Sequence, residues 1–89
     1  MKKVSNAEEL VMSVIWKSNE PVDMRTIMNA ANARFKRDWK PQTVLTFLVR
    51  LRSKGFIVAE KKGRYTYYMP VVKMLDYKKM LLDEIEKMF

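Results

Sequence analysis

The sequence predicts a mainly α-helical domain with one small β-hairpin, and three observations carry that reading. Before Gly55, apolar residues recur at helical spacing in three separate stretches. Two short runs rich in β-branched and aromatic residues then flank a glycine-containing turn. From Val72 to Phe89 the helical spacing returns.

The first helix opens with Ser5-Asn6-Ala7-Glu8, the spacing of a capping box, in which serine and glutamate each satisfy one orphan backbone N–H. Ala7, Leu10, Val11, Val14 and Ile15 follow as an amphipathic stripe that ends near Trp16 to Ser18. Asn19-Glu20-Pro21 breaks it, and Val22 is a candidate for a very short strand. Asp23 can cap a second helix whose apolar positions are Met24, Ile27, Met28, Ala31 and Phe35. Arg34, Lys36 and Arg37 then place positive charge at its C-terminal end, where the macrodipole favours it.

After the short connection Asp38-Trp39, Lys40-Pro41 starts a third helix, since proline suits the first helical position. Val44, Phe47, Leu48 and Leu51 form its buried stripe, and Gly55 stops it. The opposite arc holds Gln42, Thr43, Thr46, Arg50, Ser53 and Lys54, while Leu45 and Val49 lie at its margin. Periodicity assigns those two neither to the core nor to a ligand. Phe56–Glu60 and Tyr65–Met69 make the hairpin, with Lys61-Lys62-Gly63-Arg64 at its tip and Pro70 ending the second strand. Tyr65, Tyr67 and Tyr68 are expected in the core and in cross-strand pairs.

The order helix, short strand, helix, helix, strand, strand, helix is that of a winged helix-turn-helix. Residues 1–70 are read as that domain and residues 71–89 as an additional C-terminal helix.

Charge points to the class of partner. All of the formal excess of +8 lies between Arg34 and Arg64, where ten Lys/Arg face two acids, Asp38 and Glu60. Segregation of this kind is the electrostatic footprint of a nucleic-acid surface, here double-stranded DNA. Cysteine and histidine are both absent, which removes disulfides, thiolate metal sites and the commonest general base. No catalytic residue, metal or cofactor is expected. No apolar run approaches the ~18 residues of a membrane span, and no signal-peptide core follows the N-terminus. A cytoplasmic protein with no membrane partner is the expectation.

A recognition helix enters the major groove with its N-terminal half nearest the base edges. Gln42, Thr43 and Thr46 lie there, with side chains able to donate and accept, or to touch a thymine methyl. Arg50 and Lys54 lie further along, where phosphates are the closer partners. Lys40 stands beside the helix N-terminus, itself a phosphate site. Lys61, Lys62 and Arg64 would meet the backbone or the minor groove from the hairpin.

Several of these residues resemble a known family. Ser5-Asn6-Ala7-Glu8 with Val11-Met12 and Trp16 is similar to the opening helix of the penicillinase and methicillin-resistance repressors and the related copper-responsive repressors (BlaI/MecI/CopY). Trp39, Thr43-Val44, Thr46, Arg50-Leu51 and Lys54-Gly55 resemble that family's recognition helix in order and spacing. Gly63-Arg64, Tyr68 and Pro70 resemble its wing and the exit from it. The likeness covers about residues 5–77.

It implies a homodimeric winged-helix repressor that binds an inverted-repeat operator and releases it on a signal. By that likeness Thr43 and Thr46 face base edges, and Arg50 and Lys54 help anchor phosphates. The family dimerises through helices after the wing, which fits the apolar stripe Met74, Tyr77, Leu81, Ile85 and Met88; a weak homodimer is expected for these 89 residues. The chain has one helix after the wing where the family has more. It also lacks the Asn-Phe dipeptide of the β-lactam-responsive switch and the cysteine pairs of the copper-responsive one. The DNA-reading half therefore carries over and the sensing half does not. Two other readings compete with the repressor: a winged-helix module that binds protein, and a nucleic-acid binder without sequence preference.

Overall fold

Local signals start and stop each helix. In the computed structural model, which describes residues 3–89, α1 (Asn6–Lys17) begins with the capping box complete. Glu8 N–H donates to Ser5 Oγ at 3.2 Å, and Ser5 N–H donates to Glu8 Oε1 at 2.8 Å. α2 (Met24–Phe35) is capped by Asp23, whose carboxylate accepts from Thr26 N–H at 3.0 Å. That hydrogen bond holds the Asp23 carboxyl below the usual carboxylate range. α3 (Pro41–Ser53) starts with Pro41 in its first turn and ends before Gly55, whose φ of 81° lets the chain turn away in the left-handed region.

Val22–Asp23 forms β1, which pairs antiparallel with β3 (Tyr65–Pro70). β3 pairs in turn with β2 (Ile57–Lys62), giving a three-stranded sheet of order β1-β3-β2. The short strand after α1 thus pins the wing to the start of α2. α4 (Met74–Met88) follows the sheet.

The core is one cluster between α1, α2, α3 and the sheet. Val11, Met12 and Ile15 meet Ile27 and Ala31 of α2, Val44, Leu48 and Leu51 of α3, and Phe56 and Ile57 at the start of the hairpin. Each large apolar side chain buried there is worth about 1.5–3 kcal/mol. α1 packs against three elements at once (α2, α3 and β3), so its buried arc is wider than one stripe. It takes in Met12 and Glu8, whereas Ala7 and Leu10 from the expected stripe are only half-buried.

The hairpin differs from expectation in two ways. Lys61 and Lys62 belong to β2, paired with Thr66 and Tyr65, so the loop is only Gly63-Arg64. Gly63 has φ +63° and Arg64 has negative φ, the sign pattern of a II′ turn, whose twist matches that of the flanking strands. Of the three tyrosines expected inside, only Tyr68 is buried. Strand pleating puts Tyr65 and Tyr67 on the other face, where their rings lie 6.5 Å apart and Tyr65 is exposed.

α4 is fastened at its start. The Trp16 indole N–H donates to the Val72 carbonyl at 2.8 Å. Tyr77 lies 5.5 Å from the Trp16 ring and 5.8 Å from that of Phe56, and its hydroxyl donates to Glu9 Oε2 at 2.5 Å. From Leu82 onward every side chain is exposed. Among the described residues no helix is long and apolar enough to cross a membrane.

Candidate nucleic-acid interface

α3 is held at both ends before it presents anything to solvent. At its N-terminal end, the Asn32 side chain of α2 bonds both backbone groups of Trp39: Nδ2 donates to the Trp39 carbonyl at 3.0 Å, and Oδ1 accepts from Trp39 N–H at 2.9 Å. The Trp39 ring then packs edge-on against Phe47 of α3, centroids 5.0 Å apart. This clamp fixes the turn between α2 and α3, and so the angle at which α3 leaves the body.

At the C-terminal end Lys54 is taken by Glu8. Its ammonium donates to Glu8 Oε1 at 2.7 Å and to Oε2 at 3.1 Å. The Glu8 side chain is 2% exposed and that of Lys54 22%. Burial pushes the Glu8 carboxyl up, but hydrogen bonds from Lys54 and Ser5 together outweigh it and leave the group below its ordinary value. Lys54, expected from the sequence to anchor a phosphate, is thus turned inward. At about 100° per residue it stands on the flank of α3 that faces α1, not on the outer arc.

The outer arc of α3 carries the remaining expected residues. Gln42 and Arg50 are exposed, and Thr43 and Thr46 are half-buried at its edges. Thr46 Oγ1 donates to the Gln42 carbonyl at 2.9 Å. With its hydrogen so used, the hydroxyl oxygen faces a ligand as an acceptor, and the methyl stays free for apolar contact. Lys40, the N-cap residue, is exposed and 3.6 Å from Asp38. That pair, open to solvent on both sides, is worth little and leaves Lys40 able to change partners. Leu45 and Val49 are exposed on the same arc, by 37% and 60%.

The wing stands beside it. Lys61, Lys62, Gly63 and Arg64 are all exposed. A shallow groove between wing and helix is lined by Arg25, Leu45, Arg64 and Tyr65. Arg25 of α2 and Arg64 of the wing therefore share one groove with Leu45 of α3, while Arg50 of α3 borders the α1 side with Lys54.

The sequence profile of the penicillinase repressor family matches residues 4–89. The chain belongs to that family. The penicillinase repressor of Bacillus licheniformis is 36% identical over 80 residues, covering 86% of this chain and 60% of that protein. The methicillin resistance regulatory protein MecI of Mammaliicoccus sciuri is 34% identical over 80 residues, covering 85% of this chain and 59% of that protein. The chain thus spans about three fifths of the length of these curated relatives.

Among solved structures, the DNA-binding domain of the repressor BlaI superposes with a TM-score of 0.70 at 35% identity, covering 86% of this chain and 94% of that one. The Bacillus licheniformis BlaI monomer, solved in complex with the blaP half-operator, superposes with a TM-score of 0.66 at 33% identity, covering 85% and 89%. The winged-helix fold expected from the element order is thereby established, and these named relatives are repressors and regulators rather than enzymes.

Within this penicillinase-repressor chain, sequence reasoning missed three residues at or behind the candidate interface. Arg25 lies outside the cationic stretch and reaches the wing groove only because β1 pins the start of α2 to β3. Arg52 is exposed beside the sheet, where its charge opposes the upward push that burial gives the Tyr68 hydroxyl. Asn32 positions α3 without facing solvent fully, and an asparagine inside a helix gives no sequence signal of that role. Tyr77, expected at a dimer interface, fills this chain's own core beside Trp16 and Phe56. Of the other residues in that set, Met74, Ile85 and Met88 are exposed and Leu81 is half-buried.

Proposed function

We propose that this chain is a sequence-specific transcriptional repressor that binds an inverted-repeat DNA operator as a homodimer. The observation that carries the reading is an exposed α3 arc beside a cationic wing, with Arg25 and Arg64 sharing the groove that Leu45 borders, on a fold shared with a BlaI monomer solved on a half-operator. Gln42, Thr43 and Thr46 contact base edges. Arg50 and Lys40 hold phosphates, and Lys61, Lys62 and Arg64 follow the backbone alongside. Lys54 supports α3 from behind through Glu8 and touches no DNA.

The homodimer forms through α4. Its inner side, Tyr77 with half-buried Met80 and Leu81, packs on the body, while Met74, Leu75, Leu82, Ile85 and Met88 stay exposed on one broad apolar arc. A second copy of that arc is its natural cover, and two reading helices related by a two-fold axis match two half-sites about one helical turn apart.

The test is selection from a randomised duplex library, followed by anisotropy titration across salt concentrations. Enrichment of an inverted repeat, bound by two protomers and preferred over a scrambled duplex at every salt concentration, is the expected result. Equal affinity for all duplexes, falling together as salt rises, would reduce the chain to an electrostatic binder.

A further inference from the structure

Two large aliphatic side chains stand where a groove-reading helix meets its ligand. Val49 is 60% exposed and Leu45 37%. They are four residues apart on α3, hence one turn apart on the same side. Val49 lies outside the buried side defined by Val44, Leu48 and Leu51, projecting about 100–160° away from them. On the helical wheel it lies about 20° from Gln42 and about 60° from Thr46. Leu45 extends the apolar strip toward the wing, where it lines the groove with Arg25, Arg64 and Tyr65. No described segment of the chain covers Val49.

A single exposed valine needs no explanation. Two aliphatic groups in register, framed by an amide, a hydroxyl and the cations Arg25, Arg52 and Arg64, have a specific complement. The major groove of DNA offers one apolar feature, the C5-methyl group of thymine, set among hydrogen-bonding base edges and bordered by phosphates. A protein partner would have to bury Arg25, Arg52 and Arg64 beside the strip, and the net charge of +8 favours a polyanion instead.

We infer that Val49 and Leu45 read thymine methyl groups in the major groove, so that each half-site requires thymine at two positions for which the hydrogen-bonding residues supply no signal. This rests on the DNA-binding reading above. It adds a specificity that depends on a methyl group alone, since uracil presents the same O4 acceptor as thymine.

The experiment replaces thymine by deoxyuridine, one position at a time, in the duplex enriched from the random library. For the unaltered protein, loss of one buried methyl weakens binding about fourfold at each of two half-site positions. Val49→Ala should bind the all-thymine duplex correspondingly less tightly and become indifferent to uracil at one of those positions, while keeping its sensitivity at the other. Leu45→Ala should show the converse. Both sites are exposed and alanine is the best helix former, so both variants should keep the parent melting temperature.

A consensus without thymine at such positions, or indifference of the parent to every uracil, overturns the methyl contact and leaves the repressor reading intact. Uracil sensitivity that persists unchanged in both alanine variants also overturns it, because the methyl would then be read by other residues. Enrichment of no sequence at all overturns the DNA-reading function, and this inference with it.

Discussion

Changing Lys54 to methionine keeps the alkyl stem and removes the ammonium group that bonds both oxygens of Glu8, at 2.7 and 3.1 Å. The carboxylate left behind is 2% exposed, so water cannot replace the lost donor. Removing one partner of a buried ion pair costs about 3–5 kcal/mol. Here the loss belongs at the lower end, about 3 kcal/mol, because Ser5 N–H still donates to Glu8 at 2.8 Å. In a domain of this size that lowers Tm by roughly 15 °C.

The pH dependence has a definite sign. In the parent, the Glu8 carboxyl is held below its ordinary value of 4.5. Its contribution is therefore full above that value and is lost as pH falls through the lower folded value. Without Lys54 a main downward influence is gone and the folded value rises relative to the parent's, so the variant's deficit should shrink as pH falls from 7 toward 4.5 and Glu8 takes up a proton. Urea denaturation followed by Trp16 and Trp39 fluorescence at both pH values measures this. Anisotropy titration, under conditions where the variant is folded, should show the parent's salt dependence of DNA binding. A variant as stable as the parent at pH 7 but with a shallower salt slope would refute the reasoning, because Lys54 would then serve phosphate and not Glu8.

Four further outcomes are expected. Asn32→Ala leaves both backbone groups of half-buried Trp39 without a partner and should cost about 1–3 kcal/mol by urea denaturation. Tyr77→Phe removes a hydroxyl that donates to Glu9 and should cost about 1 kcal/mol near neutral pH. Burial and Glu9 hold that hydroxyl's ionisation well above its ordinary 10, so its contribution is present below pH 10 and lost as pH rises through the folded value; the phenylalanine variant should therefore lose less stability in alkaline melts than the parent. On DNA, Arg50→Ala should weaken binding to all sequences and lower the salt slope by about one, as loss of a phosphate contact does. Thr46→Ala should instead cost about 1–3 kcal/mol of discrimination between sites, measured by competition titration.

The parts of this fold that were legible in the sequence are those decided within a few residues. Ser5 with Glu8, Asp23 with Thr26, and Pro41 at a helix start are local devices, and each appears where its spacing puts it. Val22 as a strand was readable only as a possibility, because its pairing with Tyr68 joins residues far apart in the chain. The same distance hid the role of Lys54. A lysine near the end of an amphipathic helix looks like a free cation until a glutamate 46 residues away is known to be buried beneath it. Tyr77 and Tyr65 show the limit from the other side. Both are aromatic residues in apolar patterns, yet one fills the core and the other faces solvent, a difference set by how α4 and the sheet dock. For α3, periodicity separated inside from outside except at Lys54, and could not say what the exposed Leu45 and Val49 are for.

Clamping α3 at both ends has a consequence for how such a domain can change. Asn32, Trp39 and Phe47 hold one end and Glu8 with Lys54 the other, and none of these groups lies on the outer arc. The residues that hold α3 in place are thereby different from those proposed to read DNA. Under the proposed function, substitutions at Gln42, Leu45, Thr46 or Val49 would respecify what is read at little cost to stability, so that new binding preferences become reachable by single steps through variants that all fold.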